Sequence, residues 1–457
     1  MIKRRNFLRA AAGLGGLALA APLLTRTGQL WADEPYYGPF WINLDATGGW
    51  DPRLFFDPTL NPEQNRVYNA IASHGNISYA PWEVDYAALP GQSYHADHDT
   101  YLFSNQRILE KWGHRFTVIN GLDTSTINHA LGRRLAGSGR DVFDYPSFGT
   151  IFAAATAPEL PLTYVSGGGY DTTAGELPLI RVFVPDRLMD AALPNHMVTG
   201  DPTQGLYQSD ATLERIRNFQ QDRMLALHQS EHLPRSKRAL EALMDARARD
   251  GDLARIQLPP LMELADPQLL DLERCMQRTQ LILQSFVAGL SVSGNLQLGL
   301  FDSHSNNDVE QRVQLPKLWG ALDFLLSQAE TTILGNGEPL SDHLYVFVTS
   351  DFGRGPHYNK PLPDPEMKAG KDHWSIGSMI AIGPDIPGDR VIGGTDDAQL
   401  PKHIDPVSLS VVQNPEDGVR ITPASIHQAL RTKAGVQESP IARKYPIIGA
   451  DNLLLFG

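Results

Sequence analysis

Two Asp–His pairs occur in the second half of this sequence, in a pattern that is typical of a metal site. Asp302 and His304 are separated by a single residue, and Asp351 is followed later in the chain by His373. Carboxylate oxygens together with imidazole nitrogens suit Zn or Mn, whereas an all-oxygen set would suit Ca or Mg. We therefore predict that these four residues bind a divalent metal, with Zn or Mn expected and Ca or Mg as alternatives.

Further residues extend the candidate site beyond these ligands. Asp45 follows another apolar run and is a predicted ligand, and Asp51 comes shortly after it. Asp51, His129 and Arg354 are candidate catalytic residues, with His129 in a predicted loop and Arg354 just beyond a predicted strand. A guanidinium at such a position is a natural clamp for an anion. Other candidate anion contacts near His129 are Arg133, Arg134 and Arg140.

Each of these residues also has a structural alternative. An aspartate after a strand is a common turn residue, so Asp302 could cap the next turn and Asp351 a helix. His373 stands beside Trp374 and could be a packed core histidine. The metal site is favoured because three predicted strands end in a carboxylate, and two of those carboxylates are followed by a histidine.

Short apolar runs supply the elements that must position these side chains. Residues 344–348 form an unbroken run rich in aromatic and β-branched residues, which indicates a strand buried on both faces of a parallel sheet. Residues 269–290 and 315–334 have the spacing of amphipathic helices. We predict an α/β fold, with a large, mostly parallel central sheet sandwiched between helices and ligands at its carboxyl edge. The other predicted strands are residues 40–44, 116–119, 160–165, 296–301 and 379–382.

The first residues have the features of an export signal. Arg4 and Arg5 form a twin-arginine pair, and a weakly apolar segment follows over residues 10–24. That segment is shorter than the roughly 20 residues that a membrane span requires. We predict a twin-arginine signal peptide over residues 1–32 that is removed, although an N-terminal anchor is the alternative. Residues 33–457 would then be a single periplasmic or secreted domain, with a helical insertion near residues 205–290 and no stable membrane span.

Charge and cysteine content narrow the class of partner. The formal charge is −13, and it becomes −18 without the five basic residues of positions 1–32, which hold no acidic residue. This net negative charge argues against nucleic acid and anionic membranes as partners, because they would be repelled. An anionic substrate must therefore meet a locally positive site. Cys275 is the only cysteine, which excludes an internal disulfide.

Several motifs resemble those of an exported family catalogued as domain of unknown function 1501, within the alkaline phosphatase and sulfatase superfamily. The resemblance covers nearly the whole chain after the signal. It implies an alkaline phosphatase/sulfatase-like sheet with one or two metals over its carboxyl edge. It also implies that Asp302, His304, Asp351 and His373 take the ligand places, with Asp45 or Asp51 from the first strand. The motifs are the twin-arginine leader, Gly48-Gly49-Trp50-Asp51, Asn128-His129, Phe301-Asp302-Ser303-His304-Ser305-Asn306, Ser350-Asp351-Phe352-Gly353-Arg354, Lys371-Asp372-His373-Trp374, residues 390–396 and residues 421–424.

The sequence departs from the catalytic members of that superfamily in ways that bear on activity. Phe352 follows Asp351 where alkaline phosphatases have a histidine, and the ligand pair Asp302 and His304 is more closely spaced. The Cys/Ser-x-Pro-x-Arg nucleophile motif of sulfatases does not occur. Candidate nucleophiles in loops, none within a known motif, are Thr47, Ser125 and Thr126.

Two functions fit these observations. The first is an exported metal-dependent hydrolase of phosphate or sulfate esters, acting on an anionic small molecule or a polysaccharide ester. The second is a non-catalytic, metal-stabilised binding or assembly protein of the cell envelope on the same fold. The Asp and His residues favour the hydrolase, and the missing nucleophile motif favours the binding protein.

Overall fold

One large sheet and two small ones contain the strands of the described part of the chain. The structure is a computed structural model that describes residues 36–183, 185, 195, 205–234, 236–237, 240–241, 244 and 253–457. In chain order the strands are β1 (Phe40–Ala46), β2 (Ala72–His74), β3 (Ile77–Tyr79), β4 (Thr117–Asp123), β5 (Tyr164–Ser166), β6 (Ile180–Arg181), β7 (Ser293–Leu298), β8 (Leu344–Ser350), β9 (Gly353–Tyr358), β10 (Lys371–Trp374), β11 (Ile376–Ile382) and β12 (Arg390–Gly393).

The large sheet has eight strands in the order β12-β4-β11-β8-β1-β7-β5-β6. Strand β11 runs antiparallel to both of its neighbours, β4 and β8, and the other strand pairs of this sheet are parallel. Every residue of β8 and β11 is buried. Such continuous burial requires cover on both faces, which is why these strands read as unbroken apolar runs.

Helices supply that cover. They are α1 (Asp97–Tyr101), α2 (Asn105–Trp112), α3 (His129–Ser138), α4 (Phe148–Thr156), α5 (Asp210–Ser230), α6 (Leu270–Val287), α7 (Asn307–Thr331), α8 (Pro423–Lys433) and α9 (Pro440–Lys444). Short 3-10 turns are Pro52–Leu54, Tyr86–Ala88, Gly113–Arg115, Leu253–Arg255, Pro267–Leu269, Leu340–Asp342 and Pro415–Asp417.

Helices α4 and α6 lie on opposite faces of strand β7. Gly149 of α4 approaches the Ser293 side chain, and Ile282 of α6 packs closely over the next residue, Gly294. Successive strand residues point to opposite faces, so these contacts place one helix on each side of the sheet. The predicted α/β class with a mostly parallel, helix-covered sheet is therefore confirmed. None of the helices in the described ranges is long and apolar enough to cross a membrane.

Several element boundaries differ from those predicted. Residues 160–165 were expected to form a strand, but only Tyr164–Ser166 does so, because Pro161 lacks the N–H that a strand ladder needs. Strand β7 ends at Leu298, so Asp302 lies in a loop beyond it rather than at the strand end. The sequence predicts that His129 and His373 lie in loops. His129 is the first residue of α3, and His373 belongs to β10.

The segment predicted as a helical insertion contains helices of two kinds. In α5, Met224 is the buried residue and most of the other side chains are exposed. Helix α6 is different, because it packs against β7 and α7 and contributes many residues to the core. The described residues from Gly38 onward form one compact unit. The predicted signal over residues 1–32 lies outside the described part of the chain.

Candidate metal centre

The topology gathers the candidate side chains at one edge of the sheet. Strands β1, β4, β7 and β8 are mutually parallel, so their carboxyl ends meet there, and the antiparallel β11 begins there. Asp351 follows β8, His129 opens the helix after β4, and Asp302 lies in the loop after β7. The hairpin β9–β10 extends from the same edge and pairs His373 with Arg354. Residues distant in sequence therefore share one site.

Four of these residues bring donor atoms close together. The ligand atoms of His129, Asp302 and His373 all lie within 4.8 Å of one another. Asp302 Oδ1 is 3.0 Å from His373 Nε2, and Asp302 Oδ2 is 3.2 Å from His129 Nε2. His304 Nε2 is 2.8 Å from His373 Nε2 and 3.2 Å from Asp302 Oδ1. We call His129, Asp302, His304 and His373 the donor cluster.

The other nitrogen of each imidazole lies against an acceptor. His129 Nδ1 is 2.7 Å from Asp351 Oδ2, and His373 Nδ1 is 2.8 Å from the carbonyl oxygen of Ile127. His304 Nδ1 is 3.3 Å from Asp372 Oδ1. A carbonyl or carboxylate oxygen accepts only, so this network assigns an N–H to each Nδ1. In the neutral imidazoles, the lone pairs then lie on the three Nε2 atoms.

The donor cluster fits a divalent metal by its chemistry. With those tautomers, the lone pairs of His304 and His373 face each other beside the Asp302 carboxylate, an arrangement that repels unless a metal ion or a proton lies among them. The group His129, Asp302 and His373, whose ligand atoms lie within 4.8 Å of one another, offers three protein ligands, the number found in catalytic zinc sites that keep a fourth position open. Nδ1 contacts of the kind seen here also orient histidine ligands in metalloproteins. His129 and His373 would therefore hold the ion through Nε2, together with Asp302, and His304 Nε2 lies beside this group.

Arg354 is buried beneath the site instead of facing it. Its guanidinium donates to Asp302 Oδ1 (2.6 Å), to the carbonyl oxygens of Gly49 (2.8 Å) and Lys371 (3.2 Å), and to that of Gly48. The side chain is fully buried. Partial burial of Asp302 opposes ionisation, but the hydrogen bond and the positive charge of Arg354 lower its pKa to about 2. The predicted anion clamp is thus a residue that positions Asp302 and the glycine loop.

Asp351 and Asp45 lie behind the donor cluster. Burial raises the pKa of Asp351, and its Oδ2 contacts Nδ1 of His129, so it orients a histidine rather than joining the cluster. Asp45 accepts hydrogen bonds from Thr349 (2.6 Å) and Asn43 (2.8 Å) through Oδ1, and from the Tyr170 N–H (3.2 Å) through Oδ2. Burial raises the pKa of Asp45 to about 6. The structure does not bring either carboxylate into the cluster.

Asp51 is likewise placed in the interior, where it pairs with Lys371. The Lys371 Nζ to Asp51 Oδ2 distance is 2.8 Å, and both side chains are fully buried. Asp51 Oδ1 accepts from the Arg53 N–H and caps the Pro52–Leu54 turn, while Asn307 donates to Oδ2. Both of its carboxylate oxygens therefore accept from buried partners, and its position indicates a structural role rather than the predicted catalytic one.

One aromatic ring and two glycines also shape the site, and the sequence offered little indication of these roles. The Phe352 ring packs 4.6 Å from the His373 ring and 4.9 Å from the His129 ring, centroid to centroid. Gly132 lets α3 approach β8, because a Cβ atom there would lie 2.5 Å from the Asp351 carbonyl oxygen. A Cβ atom on Gly48, whose φ is 118°, would lie equally close to the Asp302 amide nitrogen. The spacing His129-x-x-Gly132 on one helix was the available clue.

Fold and site together define an α/β protein with a candidate metal centre at the carboxyl edge of its sheet. The family model DUF1501, described as a protein of unknown function, matches residues 44–413. The chain belongs to that family. A search of curated proteins gives no match.

A comparison with solved structures gives one weak similarity. The similar chain is described under the metabolism of multiple glycosaminoglycans by Bacteroides thetaiotaomicron. It is 10% identical to this chain, with a TM-score of 0.26, and the alignment covers 90% of this chain and 74% of that chain.

Proposed function

We propose that this protein is a metal-dependent hydrolase of phosphate or sulfate esters, with an alkaline phosphatase/sulfatase-like fold. The observation that carries the proposal is the convergence of three Nε2 atoms and the Asp302 carboxylate at the carboxyl edge of the sheet. Zinc is the ion that an imidazole-rich set favours, with Mn next. The substrate would be an anionic small molecule or a polysaccharide ester.

The site is open on one side, as a hydrolase requires. The side chains of Asp302 and His304 are each nearly half exposed, whereas Asp351 and Arg354 are buried. A bound divalent ion supplies Lewis-acid polarisation of an ester oxygen. The chain's own part is to hold the donors rigidly: Arg354 fixes Asp302, and Asp351 fixes His129. Preorganised groups of this kind need little rearrangement during reaction.

A second candidate is a non-catalytic, metal-stabilised protein of the cell envelope. Among the described residues, no serine, threonine or cysteine side chain is hydrogen-bonded to the donor cluster. Thr47, at the end of β1, accepts instead from Gln297 (3.1 Å). Cys275 is buried, and burial raises its pKa to about 12. A hydrolase of this chain would therefore use water directly rather than a covalent nucleophile.

The deciding experiment uses the protein loaded with Zn or Mn and a panel of chromogenic phosphate and sulfate esters. The hydrolase proposal expects turnover that Asp302→Ala abolishes, because that change removes the central carboxylate. His357→Ala is a suitable comparison, since His357 is an exposed histidine outside the donor cluster. If the metal-loaded wild type cleaves no member of the panel, the non-catalytic candidate replaces the hydrolase.

We also propose that the protein is exported in folded form by the twin-arginine route. The support is the Arg4-Arg5 pair followed by a short apolar segment. Replacing both arginines by lysine should leave the precursor in the cytoplasm of a host with that route, as cell fractionation would reveal. Unchanged export of the double variant would point to a different route.

A further inference from the structure

We infer that Arg133 binds the anionic group of the substrate, and that this group carries one negative charge, as in a sulfate monoester or a phosphodiester. The inference rests on the proposed function of the same site. It assigns to Arg133 the role that the sequence pattern favours for Arg354.

Arg133 lies at the rim of the donor cluster. It follows His129 by four residues on α3, so the two side chains share one face of the helix. Arg133 Nε is 3.6 Å from Asp351 Oδ2, the same oxygen that contacts His129 Nδ1. The Arg133 side chain is nevertheless 46% exposed. Within the described residues, its terminal nitrogens make no hydrogen bond, so they remain available to a ligand.

The other arginines near the site are already engaged. Arg354 is fully buried, and its N–H groups donate to Asp302 and to backbone carbonyls. Arg134 Nη1 pairs with Asp141 Oδ1 at 3.1 Å, and its guanidinium lies over the Phe143 ring. Arg140 donates to the carbonyl oxygen of Ile448. Arg133 is therefore the guanidinium best able to form a forked contact with an oxyanion.

The charge around the cluster favours a singly charged group. The charged side chains at, beside or behind the donor cluster are Asp45, Asp302, Asp351, Asp372, Glu310, Arg133 and Arg354, and the Asp51 carboxylate is paired with Lys371. Five carboxylates against two guanidiniums leave an excess of up to three negative charges, of which one divalent ion would offset two. A dianionic phosphate monoester would then add twice the uncompensated charge of a sulfate monoester or phosphodiester. The site therefore selects against the dianion.

Direct binding measurements separate this inference from turnover. The probes are 4-nitrophenyl sulfate, bis(4-nitrophenyl) phosphate and 4-nitrophenyl phosphate, titrated into zinc-loaded protein by calorimetry. Arg133→Ala should weaken binding of the first two about 10- to 100-fold, the range of a charge-assisted hydrogen bond. Arg133→Lys should lose less, because the charge remains. The control Arg134→Ala, the neighbouring arginine tied to Asp141, should stay within about twofold of wild type.

The outcomes are distinct for the two proposals. If Arg133→Ala loses binding while the wild type binds but cleaves neither monoanion, the hydrolase proposal fails and the role of Arg133 stands. Equal binding by Arg133→Ala and wild type would overturn the assignment. Tighter wild-type binding of the phosphate monoester than of both monoanions, or no binding of any probe, would overturn the charge selectivity. Zinc content should be equal in all variants, since Arg133 does not contact the Nε2 atoms.

Discussion

The Nδ1 atom of His129 lies 2.7 Å from Oδ2 of Asp351, and its Nε2 atom lies 3.2 Å from Oδ2 of Asp302. One imidazole thus connects a buried carboxylate to a partly exposed one. A carboxylate behind a histidine fixes which nitrogen carries the proton and makes the other a better ligand. The two aspartates, which look equivalent in sequence, therefore have different roles. Asp302 stands among the donors, and Asp351 orients one of them.

That division of roles predicts unequal metal loss in two matched variants. Asp351→Asn keeps the shape but removes the charge that orients His129, so zinc affinity should fall about 10- to 100-fold. Asp302→Asn alters a donor itself, and the loss should be larger. Competition with a chromogenic chelator measures both affinities. Equal losses, or a larger loss for Asp351→Asn, would show that Asp351 is itself a ligand.

We expect the buried Asp45 carboxyl to make a pH-dependent contribution to the free energy of unfolding. Burial raises its folded-state pKa to about 6, above the value of about 3.9 in an unfolded chain. The carboxyl's stabilising effect is therefore complete below pH 3.9 and is lost as pH rises through 6. Relative to wild type, Asp45→Asn should gain about 2 kcal/mol in unfolding free energy between pH 4 and pH 7. Urea denaturation of metal-free protein measures this difference.

The same variant tests the placement of Asp45 outside the donor cluster. Zinc content at neutral pH should match that of the wild type, because both Asp45 oxygens already accept hydrogen bonds from the protein. Loss of zinc in Asp45→Asn would show that Asp45 is a metal ligand after all. A pH dependence identical to that of the wild type would contradict the buried, partly protonated carboxyl.

Arg354 should prove important for stability. Arg354→Met removes the buried N–H groups that donate to the carbonyl oxygens of Gly49 and Lys371, and it removes the guanidinium partner of Asp302. We expect a loss of about 3 kcal/mol in unfolding free energy. Arg443→Ala, which breaks an exposed pair with Glu438, is the control and should cost less than about 0.5 kcal/mol. Comparable effects of the two changes would mean that the buried guanidinium network contributes little.

The local pattern of apolar residues in the sequence was sufficient to predict the large sheet, because its central strands are short apolar runs that are buried on both faces. It also placed Asp302 and Asp351 near one edge, since parallel strands end together. The same pattern could not predict which residues pair with the buried charged side chains. Lys371 meets Asp51 across 320 positions of the chain, and Arg354 meets carbonyl oxygens of Gly48 and Gly49 that no side-chain pattern reveals. Whether a charged residue faces solvent or the interior depends on such long-range contacts.

Metal content of the purified protein tests the central claim most directly. After zinc loading and desalting, elemental analysis should find about one ion per wild-type chain, because the described residues form one such group of ligands. The double variant with His304→Ala and His373→Ala should retain almost none. His357→Ala, which changes an exposed histidine of β9, should bind as the wild type does. A wild type that holds no more zinc than the double variant would contradict the metal centre.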